Sequence, residues 1–458
     1  MKINSLRLKN FRCFEDIAIS LDEKLTVIVA ENGQGKSTFL DAIRIGVWPF
    51  IKSFDLAKSS TFNDPSNSIT VDDVRIIKLE ESGMARQLPT EVELVGKWND
   101  EIKTWLRFRE KEDRNSKTLD NKETKKLSAL SKNIQNEIRN SSNRAENLPV
   151  FGYYGTGRLW AQKKLREENE LSENEEKDLS IRTFAYRNCM DPASSYKHFR
   201  AWFINAWESR TNMLTRVHVT VSEKKFSDDR IKVIQCVIDT FLKDTTGWHS
   251  LEYSVEDQKT LILTHDQHGR MNVDYLSDGI RSMLAMVGDI AYRCVKLNQH
   301  LGENAAKETN GIVLIDEVDM HLHPRWQQIV LVQLREAFPN IQFIVTTHSP
   351  QVLSTVTRDN IRVIGPDANG KLVAEKPLAK TYGEPSGSVM YSVMSVDPQP
   401  PVKEKVDLQR LTELVDQGYY AESESQILMQ KLVDVFGEQH PQLQRLQRSI
   451  ARQEALKS

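Results

Sequence analysis

The sequence predicts an α/β fold: a mixed sheet with helices on both faces, a small antiparallel sheet beside it, a helical insertion and a helical tail. Three observations carry that expectation. The runs "LTVIV" from Leu25, "IVLI" from Ile312 and "IQFIV" from Ile341 have the length and β-branched content of buried parallel strands. Each run leads into a cluster of polar residues, which gathers chemistry at the carboxyl edge of a parallel sheet. Between them lie stretches with apolar residues at helical spacing.

The first strand continues into "AENGQGKST", and Phe39, Leu40, Ala42, Ile43 and Ile45 then form an apolar helix face. This is a strand–loop–helix unit with Gly35, Lys36 and Ser37 in the order a phosphate-binding loop requires, and Ala30 where that pattern has its leading Gly. Gly33 and Gly35 permit the positive φ and close backbone approach that turn successive N–H groups toward anionic oxygens. Ala30 adds one methyl at the strand exit, where no phosphate contact is needed. The stretch Ala30, Glu31, Asn32, Gly33, Gln34, Gly35, Lys36, Ser37 and Thr38 is therefore expected to cradle a nucleotide, with Lys36 as a charge for the β and γ phosphates and the Ser37 hydroxyl on Mg²⁺.

Farther along, "TEVELVGKW" and "KTWLRF" alternate as antiparallel strands do. The charged stretch from Glu110 to Asn147 reads as a mobile loop followed by a solvated helix. Residues from about 170 to 250 read as helices, with Trp202, Phe203 and Trp207 as core residues. In "DYLSDGIRSMLAMVGDIAYRC", Ile280, Met283, Leu284, Val287, Ala291 and Cys294 mark an amphipathic helix. Ser277 is its natural N-cap, followed by Asp278 and Gly279, which makes a second anion site in a chain that already has one. The economical reading is that this serine-tipped helix serves the γ-phosphate bound on another subunit.

The run Ile312–Ile315 ends in Asp316 and Glu317. Side-chain alternation along a strand separates their tasks: Asp316 for Mg²⁺, Glu317 to polarise the attacking water. The run from Ile341 ends in Thr346, Thr347, His348 and Ser349, and His348 is placed to bond the γ-phosphate and register its loss. Pro398, Pro400 and Pro401 mark a linker, after which three short amphipathic helices follow, either docking a partner or closing a bundle. The expected organisation is a head over residues 1–380, with a largely helical insertion at about 100–260, and a linker and tail over 381–458.

Composition bounds the rest. With 62 Lys+Arg against 64 Asp+Glu, the net charge is −2 and no global basic field advertises nucleic acid. The four cysteines form no CxxC pair, which fits a reducing, cytoplasmic setting. No signal peptide and no apolar run of the roughly 20 residues a membrane span needs are visible. His321 and His323 in "HLHP" lack the further ligands of a zinc site.

Together these motifs resemble the ATP-binding-cassette heads of the SMC, RecF and OLD (overcoming lysogenisation defect) group. The resemblance implies two heads closing face to face on ATP, with Ser277, Asp278 and Gly279 acting in trans as the signature. "LRLKNFRCFEDIAISL" is similar to that group's opening hairpin, and the matching arginine, Arg12, is implied to lie near the nucleotide. Two departures stand out: Ala30, and Ile280–Arg281 where many cassettes place Gln or Glu after the Gly. No Q-loop glutamine is identified. Within the group, "HLHPRWQ", "FGYYGTGRLW" and "TTHSPQVLS" most resemble the ATPases of Septu and retron antiphage systems, the PtuA family. That closer likeness implies a separate PtuB-like HNH nuclease subunit that cuts DNA. No Asp-x-Asp follows residue 360 to build a TOPRIM nuclease, so a partner is expected to do the cutting. The alternative is a RecF/SMC-like repair ATPase acting on DNA without a nuclease partner; a transporter motor is disfavoured by the long insertions and polar tail.

Overall fold

A computed structural model describes residues 1–57, 67–79, 83–98, 101–140, 146–157, 173–192, 196–216, 218–257 and 259–457. Arg158 to Trp160 of the "FGYYGTGRLW" motif lie outside the described residues. Two compact units divide the chain, Met1–Val389 and Met390–Ser458.

The first unit opens with the antiparallel hairpin β1 (Lys2–Phe11) and β2 (Phe14–Ser20), then β3 (Leu25–Val29) and helix α1 (Lys36–Ile51). β4 (Ile76–Leu79) and β5 (Gly83–Arg86) form a separate ribbon. β6 (Thr90–Trp98), β7 (Glu101–Arg109) and β8 (Leu119–Asp120) join the hairpin as a five-stranded sheet of order β2–β1–β6–β7–β8. β6 buries every second residue, as its alternating sequence requires of a sheet with one covered face.

The central sheet is built differently. β9 (Val150–Tyr154), β13 (Gly311–Ile315), β14 (Ile341–Thr346) and β15 (Ile361–Pro366) combine with β3 and β16 (Leu372–Glu375) in the order β16–β15–β3–β14–β13–β9. All neighbours are parallel except β15 with β16. β3, β9, β13 and β14 are buried at every position, which is why their sequences read as unbroken apolar runs. Thr26, Gln342 and Thr346 are polar exceptions, and Gln342 clips the two sheets together: its amide donates to Ile3 O (2.7 Å) and Asp22 O (2.8 Å), and its Oε1 accepts from Ile3 N (2.8 Å).

The expected helical insertion is interrupted. β9, inside the predicted 100–260 span, is an edge strand of the central sheet, and β10 (Trp248–Ser254) begins a third sheet with β11 (Thr260–His265) and β12 (Gly269–Asn272). Strand β9 escaped prediction because its aromatic run "VFGYY" has no partner signal nearby; its partner β13 lies over 150 residues away, a pairing local pattern cannot report. Its helices include Lys122–Arg139, Glu173–Asp178, Tyr196–Leu214 and Val221–Thr246. Phe203 is fully buried and Trp202 packs at a tilt, 5.2 Å from Tyr292, so both are core, while Trp207 is half-buried. The charged helix α2 (Lys122–Arg139) is solvated on one face only: Thr124, Leu127, Ser131 and Gln135 are buried, and Gln135 Oε1 accepts from Asp55 N (2.8 Å).

In Met390–Ser458, the helices Lys405–Asp416, Ser423–Phe436 and Pro441–Lys457 close around their own core of Leu408, Leu411, Val415, Leu432, Leu443 and Leu446. Among the described residues no helix is long and apolar enough to cross a membrane.

Candidate nucleotide site

Register places four motifs on one edge. Ile315 aligns with Val345 and Tyr154, and Thr346 with Ile28, so the chain leaves β3, β14, β13 and β9 side by side at their carboxyl ends. The loop of residues 30–35, the Thr346–Ser349 tip, the two acids and Gly155–Gly157 therefore share one rim, where open parallel sheets bind ligands.

The loop is shaped by its glycines. Gly33 (φ 82°) and Gly35 (φ 86°) are left-handed, and Gly35 is also pressed from the side: a Cβ there would come within 2.7 Å of the Phe14 ring and 2.9 Å of Cys13 Sγ. No other residue satisfies both limits. Ala30, buried at the exit of β3, is accommodated without disturbing the turn. Glu31, Asn32 and Gly33 are exposed at the rim, and Gln34 Nε2 reaches Glu31 Oε2 at 3.2 Å. Lys36 is only 8 % exposed and curls back into the loop, its Nζ donating to Ala30 O (2.9 Å) and Glu31 O (3.2 Å). Burial pulls its ammonium below the usual lysine value, against the opposing carboxylates of Asp316, Glu317 and Asp319. Thr38 is buried in the first turn of α1.

Ser37 Oγ donates to Asp316 Oδ2 at 2.7 Å, although 279 residues separate them in the chain. These are two hard oxygen donors in contact, the set from which Mg²⁺ is held with water and phosphate oxygens. Among the described residues no group of three or more His, Cys, Asp and Glu side chains gathers to hold a metal.

Glu317 departs from its expected geometry. β13 stops at Ile315, and Glu317 has φ 49°, a left-handed backbone that non-glycine residues adopt at a cost. Strand alternation therefore does not separate the two acids; a turn does. Thr346 Oγ1 donates to Asp316 Oδ1 (2.6 Å) and accepts from Glu317 N (2.8 Å). Thr347 Oγ1 donates to Asp319 Oδ1 (2.5 Å), and Ser349 Oγ donates to Gln327 Oε1 (2.7 Å). His348, half-buried, stands among these anchored hydroxyls. Sequence reasoning singled out His348 and passed over Thr346, whose importance arises only when β13 and β14 pair.

Arg12 is bonded to α1, the helix that the phosphate loop begins. It also has positive φ (51°), and its guanidinium donates to Asp73 Oδ1 (2.8 Å) and Asp41 Oδ2 (2.7 Å), bracing α1 against the opening hairpin. Ser277 occupies the N-cap position of the helix Asp278–Leu297 but makes no side-chain cap bond. Ser277 and Asp278 are exposed, and Arg281 donates to Asp278. Gly279 touches the loop after the acids: a Cβ would lie 2.9 Å from His321 O. The body of this helix is buried from Ser282 to Leu297. Within the chain, Ser277 is thus held out at the surface at the start of this helix.

The family described as an AAA domain matches residues 5–216, and that described as an AAA ATPase domain matches residues 246–353. The Retron Vc95 probable ATPase of Vibrio cholerae is 27% identical over 441 residues, spanning 87% of this chain and 80% of its own. The Retron Ec83 probable ATPase of Escherichia coli is 25% identical over 489 residues, spanning 95% of this chain and 84% of its own. The Septu protein PtuA of Bacillus thuringiensis is 28% identical over 134 residues, 28% of this chain and 33% of its own. The chain is an ATPase, similar to the retron ATPases along most of its length and to PtuA over a shorter stretch. As in the sequence reading, the head of this ATPase is a mixed sheet with the loop, acids and Thr-Thr-His-Ser tip on one rim, and its activity is ATP hydrolysis.

Proposed function

We propose that this ATPase is the nucleotide-controlled subunit of an antiphage defence complex and governs DNA cleavage by a separate PtuB-like HNH nuclease. Relatives carrying retron ATPase names align along nearly the whole chain, which supports the defence setting; the sequences of three RecF proteins match over 45 residues. The observation that carries the ATP chemistry is the 2.7 Å contact between Ser37 and Asp316, which brings the phosphate loop and the acid strand together at one point.

In this reading the backbone N–H groups of residues 33–38 and the Lys36 ammonium hold the triphosphate, Lys36 exchanging its loop carbonyls for phosphate oxygens. Ser37 and Asp316 would hold Mg²⁺, whose charge would offset that of the phosphates. Glu317 orients a water and takes its proton as the oxygen bonds to the γ-phosphorus; the bond to the bridging oxygen breaks, releasing ADP and phosphate. His348 donates to the γ-phosphate. Ser277 and the N-terminus of its helix complete the site on a second copy, so ATP acts as the glue of a head-to-head dimer. DNA is engaged through the complex.

Replacing Lys36 with Ala removes the charge the phosphates need; titration calorimetry should show ATP binding lost, and an unchanged dissociation constant contradicts the loop assignment. Purifying the protein with its genomic neighbours should recover a small subunit with His-Asn-His spacing. If no such gene lies adjacent and none co-elutes, the nuclease-control reading fails while the ATPase stands. Salt-sensitive, ATP-stimulated DNA binding by the isolated protein would instead favour the repair reading.

A further inference from the structure

We infer that Thr346 is the positioning residue that sets both acids of the ATPase site, an inference that rests on the roles proposed above for Asp316 and Glu317. Thr346 is the last residue of β14, fully buried and paired with Ile28 of β3. Its single hydroxyl has one proton and free lone pairs, and the geometry uses both: the proton goes to Asp316 Oδ1 (2.6 Å) and a lone pair receives the Glu317 N–H (2.8 Å). Its carbonyl accepts from Val318 N (3.0 Å). One residue therefore grips three consecutive positions of the acid segment.

The consequences differ for the two acids. With Oδ1 of Asp316 taken by Thr346, Oδ2 is the oxygen turned to Ser37, so the hydroxyl decides which face of the carboxylate meets the cation. For Glu317 the same hydroxyl secures a left-handed backbone (φ 49°) that persists only where the surroundings enforce it. A partner bonded to a metal-ligating carboxylate fixes its orientation and basicity, and its loss commonly weakens metal affinity by roughly 10- to 100-fold. A threonine that merely suited the strand would be replaceable by valine, which keeps shape and β-propensity.

Thr346→Val and Thr346→Ser separate these possibilities without relying on turnover. Mn²⁺, standing in for Mg²⁺, is titrated by electron paramagnetic resonance into protein loaded with a non-hydrolysable ATP analogue, beside thermal melts and analogue binding in EDTA. The expected result is a Mn²⁺ dissociation constant raised roughly 10-fold or more in Thr346→Val. Analogue affinity in EDTA should be preserved, and Thr346→Ser should restore metal affinity. Parental Mn²⁺ affinity in Thr346→Val overturns the inference. If Thr346→Val does not fold, Thr346→Cys, with its weak donor, takes its place and must shift Mn²⁺ affinity in the same direction; parental affinity there overturns the inference equally. A parent that binds the analogue but shows no bound Mn²⁺ overturns the Ser37–Asp316 metal assignment, and this inference with it. Loss of the nucleotide assignment itself reads out separately, through Lys36→Ala.

Discussion

At the scale of single residues, Glu317 combines an acid at the rim of the sheet with a left-handed backbone. Side chains in that conformation are held by their neighbours, so a substitution that keeps the backbone should separate binding from chemistry. Glu317→Gln keeps size and hydrogen-bonding shape but removes the proton acceptor. Single-turnover assays should show ATP bound and hydrolysis slowed by about 100-fold or more, the scale at which a general base contributes. Hydrolysis at the parental rate identifies another base. The residue scale is also where the sequence was most legible: Lys36, Ser37, Asp316 and Glu317 stand on one rim because each follows an apolar strand. The pairing of Arg12 with Asp73 was not legible, since 61 residues separate them and no local pattern joins them.

At the scale of elements, the helix Asp278–Leu297 is anchored by a buried ion pair, Arg293 Nε donating to Asp289 Oδ2 at 2.7 Å with both side chains at most 3% exposed. Tyr154 of β9 donates to the same oxygen (2.8 Å), while the Tyr154 carbonyl accepts from Asp316 N (2.8 Å). Cutting one partner leaves a charge buried, so Asp289→Asn should cost about 3–5 kcal/mol in denaturant unfolding, whereas Asp289→Leu with Arg293→Leu should cost less than Asp289→Asn. A double variant weaker than the single removes the case for a desolvated pair. Near the end of that helix, Lys296 is buried with its Nζ donating to Ser180 O (2.7 Å); burial, and then Arg230, brings its pKa down to about 8. An unfolded lysine titrates near 10.4, so between about pH 8 and 10 the unfolded chain binds more protons and stability rises with pH. Below pH 8 the penalty of the buried charge is present in full. Lys296→Met should therefore raise the melting temperature at pH 7, with a gain that shrinks toward pH 10; a gain independent of pH contradicts the buried-charge account.

At the scale of the whole molecule, the decisive prediction concerns closure of two copies. Ser277 is exposed at the tip of a helix whose body is buried, so it can change without disturbing the core. Gly279 cannot, since any Cβ there meets the His321 carbonyl. Ser277→Arg should leave the melting temperature and ATP affinity of the single chain intact. It should also abolish ATP-dependent dimerisation of the Glu317→Gln protein in light scattering. Dimers that form as readily when Ser277→Arg is added to Glu317→Gln would exclude the trans role.

By itself the sequence determined the period of β3, β13 and β14 and the chemistry at their ends, because burial on both faces forces apolar strands and a phosphate loop demands Gly, Lys and Ser in fixed order. It thereby determined an α/β ATPase, with Lys36, Ser37, Asp316, Glu317 and His348 as its proposed working residues. Tertiary structure alone decided that β9 belongs to the central sheet, that Arg12 braces α1 and that Thr346 grips the acids. These are contacts between segments far apart in the chain, and the energy of such a contact depends on register and distance, which no local pattern of residues encodes.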